Sequence, residues 1–117
     1  MHFKFEKLLV WQKALDLADA IDVMAKTFPR NEVYVLASQI KRAADSVSLN
    51  IAEGCTGQSD AEYIRFLRYA LRSDVEVVGC LYLGSRREYI EEELFFTLYK
   101  LCHEILIMIN TLIKSMK

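Results

Sequence analysis

A chain of 117 residues has room for one compact domain, taken as 1–117, and too little for two. Its 53% hydrophobic content excludes disorder, and one Pro with four Gly cannot supply the turns of an all-β sandwich. Fifteen Lys and Arg against sixteen Asp and Glu leave a net charge of −1, which excludes a global positive field and confines any nucleic-acid binding to a local patch.

The opening Met1-His2-Phe3-Lys4-Phe5-Glu6 is charged too early for a secretory signal. No apolar run is expected to reach the ~18 residues of a membrane span, so the chain reads as cytoplasmic, without a membrane partner. Leu8, Trp11, Leu15 and Ala18 recur at helical spacing and predict a first helix over about residues 7–27. Phe28-Pro29-Arg30-Asn31 breaks that period. Val33, Leu36, Ile40, Ala44, Val47 and Ile51 then mark a second helix over about 31–53. The turn after it is expected near Gly57 and Gln58. Ser59-Asp60-Ala61-Glu62 has the form of a capping box and opens a third helix, which is expected to stop near Leu83 before Gly84-Ser85-Arg86-Arg87. The fourth, over about 89–115, begins among Glu91, Glu92 and Glu93 and ends near Lys114 and Lys117, complementing its dipole at both ends. The expectation is all-α: an antiparallel up-down-up-down four-helix bundle.

Apolar residues on the fourth helix cover more than one face, as Phe96 and Ile107 lie outside its two stripes. A second buried contact is the economical explanation, with Trp11, Phe95, Phe96 and Ile107 as candidates for an oligomer interface. Catalytic chemistry finds little footing. Cys55, Cys80 and Cys102 are an odd set without Cys-x-x-Cys spacing, which suits reduced thiols in a reducing compartment, and Cys55 in its Gly-rich surroundings is expected to be the most accessible. Cys102 and His103 are adjacent on a helix and point ~100° apart. No Glu-x-x-His or phosphate-binding Gly motif is present, and the other histidine, His2, is terminal. No catalytic residue, metal or cofactor is therefore assigned.

Gln39, Arg42, Ser46, Asn50 and Glu53 form a continuous polar stripe on the second helix with hardly any Lys. The stripe lies within residues 39–54, QIKRAADSVSLNIAEG, and this stretch resembles the bacterial four-helix-bundle proteins named for open reading frames in intervening sequences of 23S ribosomal RNA genes. Phe5, Leu8, Trp11 and Ala14 match the opening of that family, Pro29 with Glu32 its entry to helix two, and Phe66-Leu67, Ala70, Ser73 and Glu76 its third helix. Arg72 stands where the family has Gly and Val77 where Leu is usual, departures confined to helix three. The resemblance implies a homo-oligomeric ring, with a homopentamer favoured, and no established enzymatic activity. A related branch, the accessory variability proteins of diversity-generating retroelements, acts as a basic pentamer that engages a reverse transcriptase and nucleic acid, a role that transfers poorly to a net acidic chain.

Two readings of function follow. In the first the protein is a structural or interaction ring whose partners are itself and, through its surface, another protein. In the second, Lys41, Arg42, Arg65, Arg68, Arg72, Arg86 and Arg87 form a patch for RNA or DNA phosphates. The polar stripe has a structural explanation of its own. A tight turn between helices two and three sets Arg42 opposite Glu76 and Glu53 opposite Arg65, so these four are expected to form interhelical ion pairs, with Ser46 and Asn50 hydrogen-bonding between them.

Overall fold

The computed structural model describes residues 3–57 and 59–117; His2 and Gln58, the expected turn centre, lie outside the described residues. Four long helices carry the fold: α1 (Leu9–Ala25), α2 (Leu36–Cys55), α3 (Asp60–Arg86) and α4 (Glu92–Ser115), with 3₁₀ turns at Lys4–Lys7 and Arg30–Glu32. No strand occurs among the described residues. α1 packs on α2 and α4, and α3 packs on the same two. The described backbones of α1 and α3 nowhere approach within 8 Å between Cα atoms, nor do those of α2 and α4, so each pair stands diagonally across the bundle. One core draws on all four helices, through Leu17 and Ile21, Ile40 and Ile51, Leu67 and Leu81, and Leu98 and Ile109.

The stripe expected on the first helix is out of phase. Val10, Ala14, Leu17, Ile21 and Met24 are buried, whereas Leu15 is exposed and Leu8 and Trp11 only line the core. Leu8, Leu9, Val10 and Trp11 are all apolar, so two neighbouring stripes fit the helical period, and packing against α2 and α4 chose between them. On α2 the expected stripe is buried from Leu36 to Ile51, but Val33 is exposed, because the helix begins only at Leu36. The entry is held by Glu32, whose Oε1 accepts from the Leu36 N–H at 3.2 Å.

Ser59 caps α3 as expected, its Oγ accepting from the Glu62 N–H at 3.1 Å. The far end of α3 differs from expectation. Gly84 continues the helix, and a Cβ there would lie 2.6 Å from Cδ1 of Ile90, so its smallness admits Ile90 rather than ending the element. The stop comes at Glu88, with φ 64°: its N–H donates to Ser85 O at 3.0 Å and the Tyr89 N–H to Gly84 O at 2.8 Å, the bond pattern of a Schellman motif. That turn occupies Tyr89, which is why α4 starts three residues later than the sequence suggests, at Glu92. Contrary to the expectation of no span-like run, α4 is long and apolar enough to cross a membrane by length and composition. Its Phe95, Leu98, Cys102, Ile105 and Ile109 are nonetheless buried within the bundle.

Candidate functional site

Three surfaces and one interior position hold the candidate residues. The polar stripe lies at the rim of the α2–α3 seam. This seam is drawn tight by Gly54, where a Cβ would stand 2.6 Å from the Phe66 Cβ. Gln39, Arg42, Glu53, Arg65 and Glu76 are exposed there, and Ser46 and Asn50 are half-buried. The expected ion pairs are not formed: among the described residues Arg42 is not paired with Glu76, nor Glu53 with Arg65. Glu76 instead accepts from Gln39 Nε2 at 3.3 Å, and Arg65 stands 3.8 Å from Glu62 on its own helix, with its guanidinium 5.3 Å from the Phe66 ring centre. Asn50 Nδ2 donates to the Ser46 carbonyl at 2.8 Å, a bond within α2 and not across the seam. Water competes for charges at an exposed rim, where an ion pair that must order two long side chains gains little.

The arginine patch divides. Lys41 turns away to Asp22 of α1 at 3.2 Å, and Asp22 also takes Lys26 at 3.2 Å; these ammonium groups, Lys26 first, hold its carboxyl below the usual range. Arg87 lies 3.8 Å from Glu32, which also accepts from the Tyr89 hydroxyl at 2.9 Å, so this arginine braces the α3–α4 loop against the entry to α2. Arg68 and Arg72 remain exposed on α3 without an ion pair among the described residues, next to exposed Tyr69, and Arg86 is exposed at the C-terminal end of the helix. Arg72 and Val77, the two family departures, fit: the first is in solvent and the second in the core.

Among the candidates for an oligomer interface, Phe96 is 51% and Ile107 50% exposed. Trp11 is half-buried and meets Phe5 edge-on at 4.9 Å. Phe95 does not belong with them: it is buried in the chain's own core, against Tyr82 at 5.1 Å and Tyr99 at 5.9 Å. The sequence reading missed the exposed apolar residues of α3, among them Val75 at 54% and Tyr82 at 50%, and Val23 of α1 at 67%. On α3 they are interleaved with arginines, which hides them from an apolar-stripe search.

The interior position, also missed, is Asp74. It is 1% exposed in the middle of α3, and among the described residues neither Oδ1 nor Oδ2 is within hydrogen-bond geometry of a nitrogen or oxygen, the Cys102 thiol being its nearest polar neighbour. A cavity of about 160 Å³ between α3 and α4 is lined by Asp74, Val78, Tyr99, Cys102 and His103. Burial pushes the carboxyl up to about 7, against a smaller lowering by the Cys102 thiol beside it. Burial and then the carboxylate push the Cys102 thiol well above its usual range, and burial raises Cys80 too. Such thiols are poor nucleophiles. Cys55 corrects the expectation of an accessible thiol: it is buried in the last turn of α2, close to Tyr63, whose hydroxyl is pushed up first by burial and then by that thiol. All three cysteines are free, and no group of three or more metal-binding side chains occurs among the described residues.

None of the curated proteins matches the chain. A crystal structure of a protein with unknown function from the S23 ribosomal protein family of Bacteroides thetaiotaomicron is similar to it, with a TM-score of 0.85 and 31% identity over 91% of this chain and 96% of the other. The model of the 23S rRNA-intervening sequence protein family matches residues 6–111. The chain therefore belongs to the 23S rRNA-intervening sequence protein family.

Proposed function

We propose that the protein is a non-enzymatic interaction module, an up-down-up-down antiparallel bundle that assembles as a homo-oligomeric ring in the cytoplasm and presents a surface to a protein partner, without metal or cofactor. The topology is supported by the residue pairs along the seams. Gly54 faces Phe66 at one end of α2–α3 while Gln39 reaches Glu76 further along, and on α3–α4 Gly84 faces Ile90 while Tyr82 meets Phe95. The observation that carries the assembly is the exposure of large apolar side chains on several helices at once, Val23, Val75, Tyr82, Phe96 and Ile107 among them. Water contact over so much apolar surface favours association. Five copies is the ring size implied by the resemblance. Sedimentation equilibrium at micromolar concentration tests it: a multiple of 13.6 kDa is expected, and a mass of 13.6 kDa removes the proposal.

A second reading has its own observation, Arg68 and Arg72, which have no ion pair among the described residues and lie beside exposed Tyr69, a combination that suits phosphate and base contacts. It is tested by titrating the protein with structured RNA over a salt series. A steep loss of affinity with salt supports this reading, and no binding at low salt removes it.

A further inference from the structure

Two exposed faces on diagonally opposed helices carry opposite charge. On α1, Gln12, Asp16, Asp19 and Val23 follow one another at spacings of four, three and four residues, all exposed. On α3, Arg68, Arg72, Val75 and Gly79 repeat the same spacing, also exposed. Among the described residues Asp16 and Asp19 have no ion-pair partner, nor do Arg68 and Arg72. Gly79 adds a separate observation. It sits in the interior of α3, where glycine weakens a helix, yet a Cβ there would meet nothing within 4 Å, so no contact inside the chain requires it.

We infer that copies of this chain join head to tail, the α1 face around Asp16, Asp19 and Val23 of one copy seated on the α3 face around Arg68, Arg72 and Gly79 of the next. The inference rests on the homo-oligomer reading and names the faces that meet. A two-fold contact would set arginine against arginine on one face or aspartate against aspartate on the other, whereas a heterologous contact sets the acidic face against the basic one. Because α1 and α3 lie on opposite sides of the bundle, each copy offers one face forward and the other backward, so the same contact repeats from copy to copy and closes into a ring when the rotation at each step divides a full turn. In an up-down-up-down bundle these helices point the same way. Laid side by side in that sense, Asp16 comes level with Arg72, and Val23 with Gly79, where the missing side chain leaves room for the valine.

Sedimentation velocity of four proteins tests this, each checked for helicity by circular dichroism: the native chain, Asp16→Arg/Asp19→Arg, Arg68→Asp/Arg72→Asp, and the chain carrying all four changes. The native chain should assemble, each two-residue swap should weaken association at least tenfold, and the four-residue swap should restore it. In parallel, oxidation of a Val23→Cys/Gly79→Cys variant should give a covalent ladder extending past the dimer, and neither single variant should. An oligomeric native chain whose swaps assemble unchanged, or whose four-residue swap stays apart while folded, overturns the face assignment and leaves the oligomer standing. A monomeric native chain overturns both.

Discussion

The two seams of α3 solve opposite problems. Toward α2 the helix is drawn in by a missing side chain, Gly54 admitting Phe66, and the polar groups are left at the wet rim. Toward α4 it buries a carboxyl that, among the described residues, has only the Cys102 thiol beside it, next to a cavity of about 160 Å³. The first seam is held by close packing and loses little when its polar groups are changed. The second carries an electrostatic cost that close packing does not offset. The comparison teaches that polarity in the sequence does not locate polar energetics in the fold: seven polar positions on the first seam matter less than one on the second.

The largest expected effect is at Asp74. Its carboxyl titrates at about 7 in the folded chain and at 3.8 when unfolded, so the folded state holds the extra proton between those values. Stability is therefore highest below pH 4 as far as this group is concerned, falls as pH rises through 7, and is lowered by about 4 kcal/mol above that. Urea unfolding midpoints should drop for the native chain between pH 5 and pH 8, and the Asp74→Asn and Asp74→Leu chains should lose most of that dependence, with Asp74→Leu the most stable of the three at pH 8. A native midpoint that does not move with pH would erase the contrast between the seams.

Next in size is the tight seam. Gly54→Ala places a Cβ against the Phe66 Cβ, an atom fixed to its backbone, and should cost about 2 kcal/mol of unfolding free energy through forced separation of α2 and α3. A neutral result would mean that the helices part freely there. Tyr89→Phe removes the hydroxyl that donates to Glu32 and should cost about 1 kcal/mol, read from thermal unfolding, while the ring contact with Phe28 and the Arg87–Glu32 contact remain. The smallest effect belongs to the rim. In a double-mutant cycle, Arg42→Ala and Glu76→Ala should show a coupling below about 0.5 kcal/mol, since these exposed groups are not paired. A coupling of several kcal/mol would restore the stripe as the device that sets helix register.

Legibility differed by kind of interaction. The Ser59 cap, the buried run from Leu36 to Ile51 and the acidic start of α4 were readable because each depends on residues within one or two turns of each other. The role of Gly84 was misread for the same reason: its neighbour Ile90 lies across a turn, and a local reading sees only a helix breaker. Asp74 gave no warning either, as Ser73-Asp74-Val75-Glu76 looks like ordinary solvent-facing helix until its phase within the bundle is known.

By itself the sequence determined the helical class, the number of long helices, their approximate limits and the family, since period, caps and motif are properties of neighbouring residues along the chain. Only the tertiary structure decided which of two apolar stripes on α1 faces inward, that Phe95 is core while Phe96 is surface, that the rim arginines are not matched to facing carboxylates, and that one aspartate is sealed in the interior. The physical reason is that a helix fixes its own period but not its rotation about its axis. Rotation is set by packing against partners far away in sequence, and a turn of one residue exchanges what is buried for what is wet.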